Sequence, residues 1–245
     1  MEPRKYAEQV ERAPALPAGG DERFQGYGVM GEPFASGHVL ALRRFTASSL
    51  GPGYTSVWHR DPSGRWTFYA DVEPGQACAR YFGSAVEQAV ACPIELSWPG
   101  PRTLHVCIES AALDWTVEVA PTLATRAMNV MSRRMPERLW KERRVLALMA
   151  ALAGPTLRAG RLGVYGRAPN GQQFIANPIV LWAITGGRAT IAGVDLGPQG
   201  PLAHQARLGD FWIPQRGLLA VGRAYFEPFD PALHSAAVSQ QPATP

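Results

Sequence analysis

The residues best suited to chemistry are ionisable side chains that recur at every second position in two neighbouring runs. Over 103–109 and 113–119, Leu104, Val106, Ile108, Leu113, Trp115, Val117 and Val119, at every second position of each run, share one face. His105, Cys107, Glu109, Asp114, Thr116 and Glu118 share the other. Period-two alternation in adjacent runs predicts a hairpin with one apolar face and one polar face. With a two-residue loop at Ala111-Ala112, His105 stands opposite Glu118 and Glu109 opposite Asp114. A carboxylate beside an imidazole fixes its tautomer and raises its basicity, which suits general acid–base work. The plain alternative is a solvated outer face, which antiparallel sheets commonly carry.

A second group comes from the runs 54–59 and 65–72, joined through Asp61-Pro62-Ser63-Gly64, a turn in which Pro presets φ and Gly takes the strained position. One register brings Tyr54, Ser56, Trp58, Thr67, Tyr69 and Asp71 together. Aromatic area with a few hydroxyls and one carboxylate makes a ligand wall, and Asp71 in an apolar cavity would have its pKa raised and exchange protons. The alternative is cross-strand pairing that only stabilises the sheet.

The familiar linear signatures are missing: no GxSxG elbow, P-loop, HExxH or GxGxxG. Asp195, His204 and Asp210 lie in a Gly- and Pro-rich loop without tight ligand spacing, so neither a metal site nor a cofactor is expected.

The elements that must position these residues are mostly strands. Strand candidates at 38–46, 162–167, 172–175, 179–185, 188–195 and 217–226 join the two hairpins, with turns expected at Pro169-Asn170-Gly171 and Gly186-Gly187. From 122 to about 153 the period becomes helical, with Pro136 opening a second helix and Gly154-Pro155 ending it. The strands on either side of Gly186-Gly187 are apolar on both faces, which calls for cover on both sides. The fold expected is therefore mainly β, an antiparallel barrel with a helical insertion in mid-chain; a two-sheet sandwich is its rival. Residues 1–22 read as a flexible leader, 23–230 as one barrel domain and 231–245 as a disordered tail.

Composition narrows the classes. With 46% hydrophobic and 18% charged residues among 245, the chain has material for a substantial core. Its 25 glycines and 22 prolines suit many short strands joined by turns. The net charge of +4 is spread thinly. Its densest stretch, Arg138, Lys141, Arg143 and Arg144, is broken by Glu137 and Glu142, so no nucleic-acid partner is expected. Three cysteines without a CxxC pair fit a reducing compartment, and no signal peptide or transmembrane run is visible. A cytoplasmic location follows as the expectation.

The segments SVWHRDPSGRWTFY and GRAPNGQQF, with the Trp-containing strands, resemble the lipocalin-like superfamily, nearest to its carotenoid-hydratase and cyclase-type members. The resemblance implies a β-barrel cavity for a greasy substrate. The long mid-chain helix and the lack of an N-terminal Gly-x-Trp depart from it, and no family site carries over residue by residue.

The resulting expectation is a lipophilic small molecule held in a barrel cavity and worked on by cofactor-independent acid–base chemistry of isomerase, hydratase or cyclase type. Asp71 or Glu118 would move the proton, Tyr69, His105 and Tyr54 would orient the substrate, and Trp58, Trp66 and Trp182 would line the cavity. The alternatives are a carrier with the same cavity and a partner-binding module, homo-oligomeric through the 137–153 helix.

Overall fold

The computed structural model describes residues 2–235, so from 236 onward the expected tail lies outside them. The chain opens with helix α1 (Pro3–Arg12), followed by β1 (Glu22–Val29), β2 (Glu32–Pro33), β3 (Val39–Ser48), β4 (Tyr54–Arg60) and β5 (Trp66–Ala70). Short α2 (Ala79–Phe82) leads to β6 (Gln88–Ala91), β7 (Glu95–Ser97), β8 (Thr103–Ile108) and β9 (Leu113–Ala120). Helices α3 (Leu123–Arg134) and α4 (Arg143–Leu157) flank a 3-10 turn at Glu137–Lys141. Strands β10 (Tyr165–Arg167), β11 (Gln173–Ile191), β12 (Val194–Asp195), β13 (Arg207–Leu208), β14 (Phe211–Trp212) and β15 (Leu218–Phe226) complete the order.

The architecture is mainly β: a 13-stranded sheet, curled into an open half-barrel, with the core order β6-β5-β4-β3-β1-β15-β11-β9-β8-β7. The expected closed antiparallel barrel is corrected on two counts. The sheet does not close, and β5 pairs β6 in parallel, so it is mixed.

Alternation assigns each strand residue to one of two faces. On the first face lie Leu40, Leu42, Val57, Leu104, Val106, Ile108, Trp115, Val117, Val180 and Trp182, all in one cluster. Because this cluster joins strands from both ends of the order, the sheet curls around it, and α1 adds Ala7 to it. Side chains therefore fill the inside of the curl. The second face carries an aromatic cluster around Phe24, Tyr54, Trp58, Phe68, Tyr81 and Phe82. Farther along the same face lies an aliphatic cluster of Leu157, Leu181, Leu218 and Ala220 under α3 and α4.

Several local expectations change. Residues 3–12 are helical where a loose leader was expected, and β1 begins at Glu22. Gly186-Gly187 does not reverse the chain: β11 continues past it with a register shift between Ile184 and Gly186, pairing β15 with its first half and β9 with its second. At Gly187, φ is +140° and a Cβ would strike the Thr116 carbonyl, so glycine serves a bend and a close approach there. Helix α4 likewise passes Gly154-Pro155 and ends at Leu157, capped by Arg158, which sits left-handed at φ 55°. In contrast, the turns at Asp61–Gly64 and Pro169–Gly171 form as expected, with Gly64 at φ +96° and Gly171 at φ +97°.

Candidate functional site

The geometry of the second face follows from small residues in the middle of the sheet. Gly26 of β1 pairs with Gly222 of β15, and Ala176, Ala220 and Ala224 adjoin them. A Cβ on Gly26 would strike the backbone at Arg44, and one on Gly222 the backbone at Asn177. The floor between the aromatic and aliphatic clusters is therefore nearly free of side chains, and α3 and α4 bridge over it. A cavity of about 170 Å³ results. A cavity of this order admits a guest the size of benzene.

The wall at the aromatic end is built by β3, β4 and α2. Tyr54, Ser56 and Trp58 alternate onto the cavity face of β4, and Cys78, Tyr81 and Phe82 come from the α2 turn. Trp58 stacks on Phe68, with centroids 4.4 Å apart, and Tyr81 stacks on Phe226 at 3.6 Å. The opposite wall is Met128, Leu146, Met149 and Leu157 of the helices, with Trp140 from the 3-10 turn.

Arg43 stands among these rings and is 7% exposed. In the run Val39–Ser48 its parity is that of the buried Val39 and Ala41, so its side chain enters the cavity wall instead of solvent. Its Nη1 donates to the Val29 and Leu42 carbonyls at 2.5 and 2.8 Å, and its Nη2 to Met30 O at 3.2 Å. The guanidinium lies 4.6 Å from the Trp58 ring centroid and 5.4 Å from that of Phe211. Among the described residues no carboxylate pairs with it, and the fork formed by Nε and the remaining Nη2 hydrogen has no protein acceptor. Burial lowers its pKa to about 10, which leaves it charged at neutral pH.

Two polar side chains in the field of Arg43, Tyr54 and Cys78, carry hydrogens as well. Burial raises the Tyr54 hydroxyl well above its ordinary range and raises the Cys78 thiol, so both stay protonated; they lie 3.5 Å apart. Trp58 Nε1 and Ser56 Oγ are buried and turned toward the Cys78 sulfur, without a partner at full hydrogen-bond geometry. Among the described residues, no Asp, Glu, His or Lys lines the cavity. Behind the wall residue Tyr81, the buried carboxylate of Glu22 takes a 2.5 Å hydrogen bond from the Tyr81 hydroxyl and two from Arg80. Its pKa is lowered: burial pushes it up, but Arg80 and Tyr81 outweigh burial.

The residues singled out in the sequence divide. Tyr54 and Trp58 line the cavity. Trp66 is buried in the aromatic cluster behind it, and Trp182 lies in the core of the other face, edge-on to Tyr6 at 5.5 Å. Asp71, Glu118, His105 and Tyr69 do not reach the cavity. In the first hairpin Trp58 pairs with Phe68 and Val57 with Tyr69, one residue from the expected register. A one-residue slip moves every side chain to the other face, so Thr67, Tyr69 and Asp71 leave Tyr54 and Trp58. Asp71 is exposed and accepts from Thr55 N at 2.7 Å.

In the second hairpin the loop is four residues, 109–112, with Ala112 left-handed at φ 44°. His105 therefore stands opposite Thr116, and Glu118 opposite Thr103. His105 Nε2 meets Asp114 diagonally at 2.9 Å on the outer surface, while Glu118 is exposed. Sequence reasoning missed Arg43, Cys78, Tyr81 and Phe82. The available signal was a charged residue in phase with the apolar positions of VLALRRF.

No family model matches the chain, and no curated protein matches it. Among solved structures, an acetoacetate decarboxylase from Legionella pneumophila is similar, at 12% identity over 87% of each chain with a TM-score of 0.36. So distant a likeness carries no argument about this site. Among the described residues no helix is long and apolar enough to cross a membrane, and the three cysteines are free.

Proposed function

We propose that the protein binds a small, largely apolar molecule bearing one acidic group, with that group seated on the free fork of Arg43. One observation carries the reading: a charged guanidinium, buried beside an apolar cavity, with no carboxylate and with its side-on fork open. Burying an ion without a counter-ion costs about several kcal/mol, even after relaxation. An anion arriving with the guest offsets that cost, and a planar bidentate contact also fixes the guest's orientation. Tyr54 and Cys78, which share one hydrogen bond, and Trp58 stand in the same wall, and the hydrogen that the Tyr54–Cys78 pair leaves over is a further donor for an oxyanion. The methionines and aromatic rings supply apolar contact for the remainder.

This reading keeps the lipophilic guest expected from the sequence and moves it from the inside of the curl to the outer face of the sheet. It supports binding before turnover. The cavity lining offers Tyr54 and Arg43 to hold a developing negative charge, but, among the described residues, no carboxylate or imidazole to take a proton.

The test is calorimetric titration with benzoate and phenylacetate against their primary amides. The carboxylates are expected to bind, and Arg43→Met to weaken them by about 10- to 100-fold, the worth of hydrogen bonds to a charged group. The amides should be little affected by the substitution. Ala224→Leu, which fills the floor, should abolish binding of both. Equal affinity of acid and amide for the unaltered protein would sink the assignment.

A further inference from the structure

We propose that the outer face of α3 and α4 docks on an anionic lipid bilayer, with the mouth of the cavity turned toward the acyl chains. The surface begins from an inversion in α3. This helix buries Thr125, Asn129 and Ser132 and exposes Leu123, Val130 and Met131. An amphipathic helix on a globular core ordinarily does the reverse. The inward polar side has a structural cause. β9 pairs with β11 only from Ala183 onward, so the β11 backbone at Leu181 lacks a strand neighbour on that side. Asn129 takes the place of one: its side-chain oxygen accepts from Leu181 N at 2.7 Å and its nitrogen donates to Leu181 O at 2.9 Å.

The apolar outward side has no such account within the fold. Of the seven large apolar side chains that stand exposed among the described residues, five lie on these two helices. Leu123, Ala127, Val130 and Met131 run along α3 at helical spacing, and Leu148, Ala151 and Leu152 do so along α4. Met131 and Leu152 also line the cavity, so the two stripes meet at its rim and the cavity reaches the surface between them. Arginines frame the stripes. Arg126 and Arg134 stand one turn to either side of Val130, Arg144 stands one turn before Leu148, and Arg158 follows the end of α4. Residues 123–158 carry eight arginines and lysines against two glutamates, a net +6 in a chain whose total is +4, so the remainder is net negative. Among the described residues, Lys141 alone of these cations has an ion pair, with Asp21 at 4.0 Å. Of the glutamates, Glu137 is held by Arg223 at 3.3 Å and Glu142 caps the start of α4.

An apolar ridge framed by unpaired arginines fits the boundary between acyl chains and anionic headgroups. The ridge enters the apolar layer, and the guanidiniums meet phosphate and carboxylate oxygens. A second copy seated on the same face would cover the ridge but set one arginine-rimmed surface against another. A nucleic acid would meet the arginines and leave the ridge in water. Docking does not depend on Arg43, and it places the cavity mouth against the layer in which an apolar acid dissolves.

The experiment is sedimentation of the full chain with vesicles of phosphatidylcholine alone and of phosphatidylcholine containing about one-third phosphatidylserine. Binding to the anionic vesicles and not to the neutral ones is expected, and it should fall as salt rises. Arg126→Gln/Arg134→Gln/Arg144→Gln should weaken it about 100-fold, at about fivefold for each charge near an anionic surface. Val130→Gln/Leu148→Gln, which removes apolar area outside the cavity lining, should weaken it by about tenfold or more. All five side chains are exposed, so both variants should keep the circular dichroism and the benzoate affinity of the unaltered protein. Vesicle binding without benzoate binding would leave this surface standing and remove the Arg43 site. Equal binding to neutral vesicles, no binding to either, or anionic binding that one of the variants retains in full overturns the docking surface. So does a dimer in light scattering that Val130→Gln/Leu148→Gln dissolves while vesicles leave the chain in solution, which would give the face to a second copy.

Discussion

On the inner face of the sheet, Glu32 is 1% exposed and accepts a 2.7 Å hydrogen bond from Trp115 Nε1, while its other oxygen has no partner. On the outer face, Arg43 is buried nearly as well among rings. Burial raises the pKa of Glu32 to about 8, so it is mostly a neutral acid at pH 7. Arg43, lowered to about 10, is still an ion. A carboxyl in a filled core can shed its charge by keeping a proton, and the surrounding packing stays tight. A guanidinium has no such escape within the working pH range, so burying it makes sense where a counter-ion can enter. The face that is filled solves the problem by neutralisation. The face with the gap at Gly26 and Gly222 leaves it for a ligand.

Two tryptophans give the hardest test of that contrast. Trp115 is fully enclosed in the inner cluster, whereas Trp140 borders the cavity. Trp115→Ala should cost about 3–5 kcal/mol in urea unfolding, the range for emptying a packed aromatic site. Trp140→Ala should cost distinctly less, about 1–2 kcal/mol, because a side chain facing empty space has fewer contacts to lose. Comparable losses in the two variants would mean that the faces do not differ in packing.

The pH dependence of stability sharpens the electrostatic half. The folded pKa of Glu32 lies above the unfolded carboxyl value, so the folded state holds the extra proton. Its contribution is complete below the unfolded pKa of about 4.3 and is lost as pH rises through about 8. The slope from this group is at most about 1.4 kcal/mol per pH unit. Glu32→Gln keeps an acceptor for the Trp115 N–H and removes the titration. Its stability should vary less between pH 5 and 8, and above pH 8 it should exceed that of the unaltered protein. An unchanged slope in this variant would show that Glu32 is not held neutral. Arg43→Met, by comparison, should leave the slope below pH 8 as it is.

The alternation of TLHVCI and LDWTVEVA made β8, β9 and the inner cluster legible, because one buried face and one wet face leave a period-two trace. The turn chemistry of Asp61–Gly64 and Pro169–Gly171 was legible for the same local reason. β1 was not. Its sequence, ERFQGYGV, places two glycines in a strand, and their cause is the close approach of the β3 backbone, a tertiary fact. Gly186-Gly187 misled in the same way, since a glycine pair that ends a strand and one that lets it bend look alike. The site depended on register. Tyr54 and Trp58 were found by type, but Tyr69 and Asp71 were attached to them through a pairing one residue away from the real one. The cavity itself is made from an absence of side chains on adjacent strands far apart in sequence, which no local pattern announces.

The smallest expected effect belongs to the carboxylates that looked most reactive in the sequence. Glu118 is exposed on β9 and sits across from Thr103, so Glu118→Gln should change stability by no more than about 0.5 kcal/mol, as surface substitutions usually do. Asp71 differs by one interaction, its acceptance of the Thr55 N–H. Asp71→Asn retains a side-chain oxygen for that bond and trades a charged acceptor for a neutral one, which costs about 1 kcal/mol at most. Neither variant should alter carboxylate binding, because neither side chain faces the cavity and both lie in water that screens their charge. Titration of both variants with the ligand that binds best decides the point. Should either lose affinity tenfold while remaining folded, the binding site would have to be sought on the polar outside of the two hairpins, and the contrast between a filled face and a hollow one would no longer explain where the molecule works.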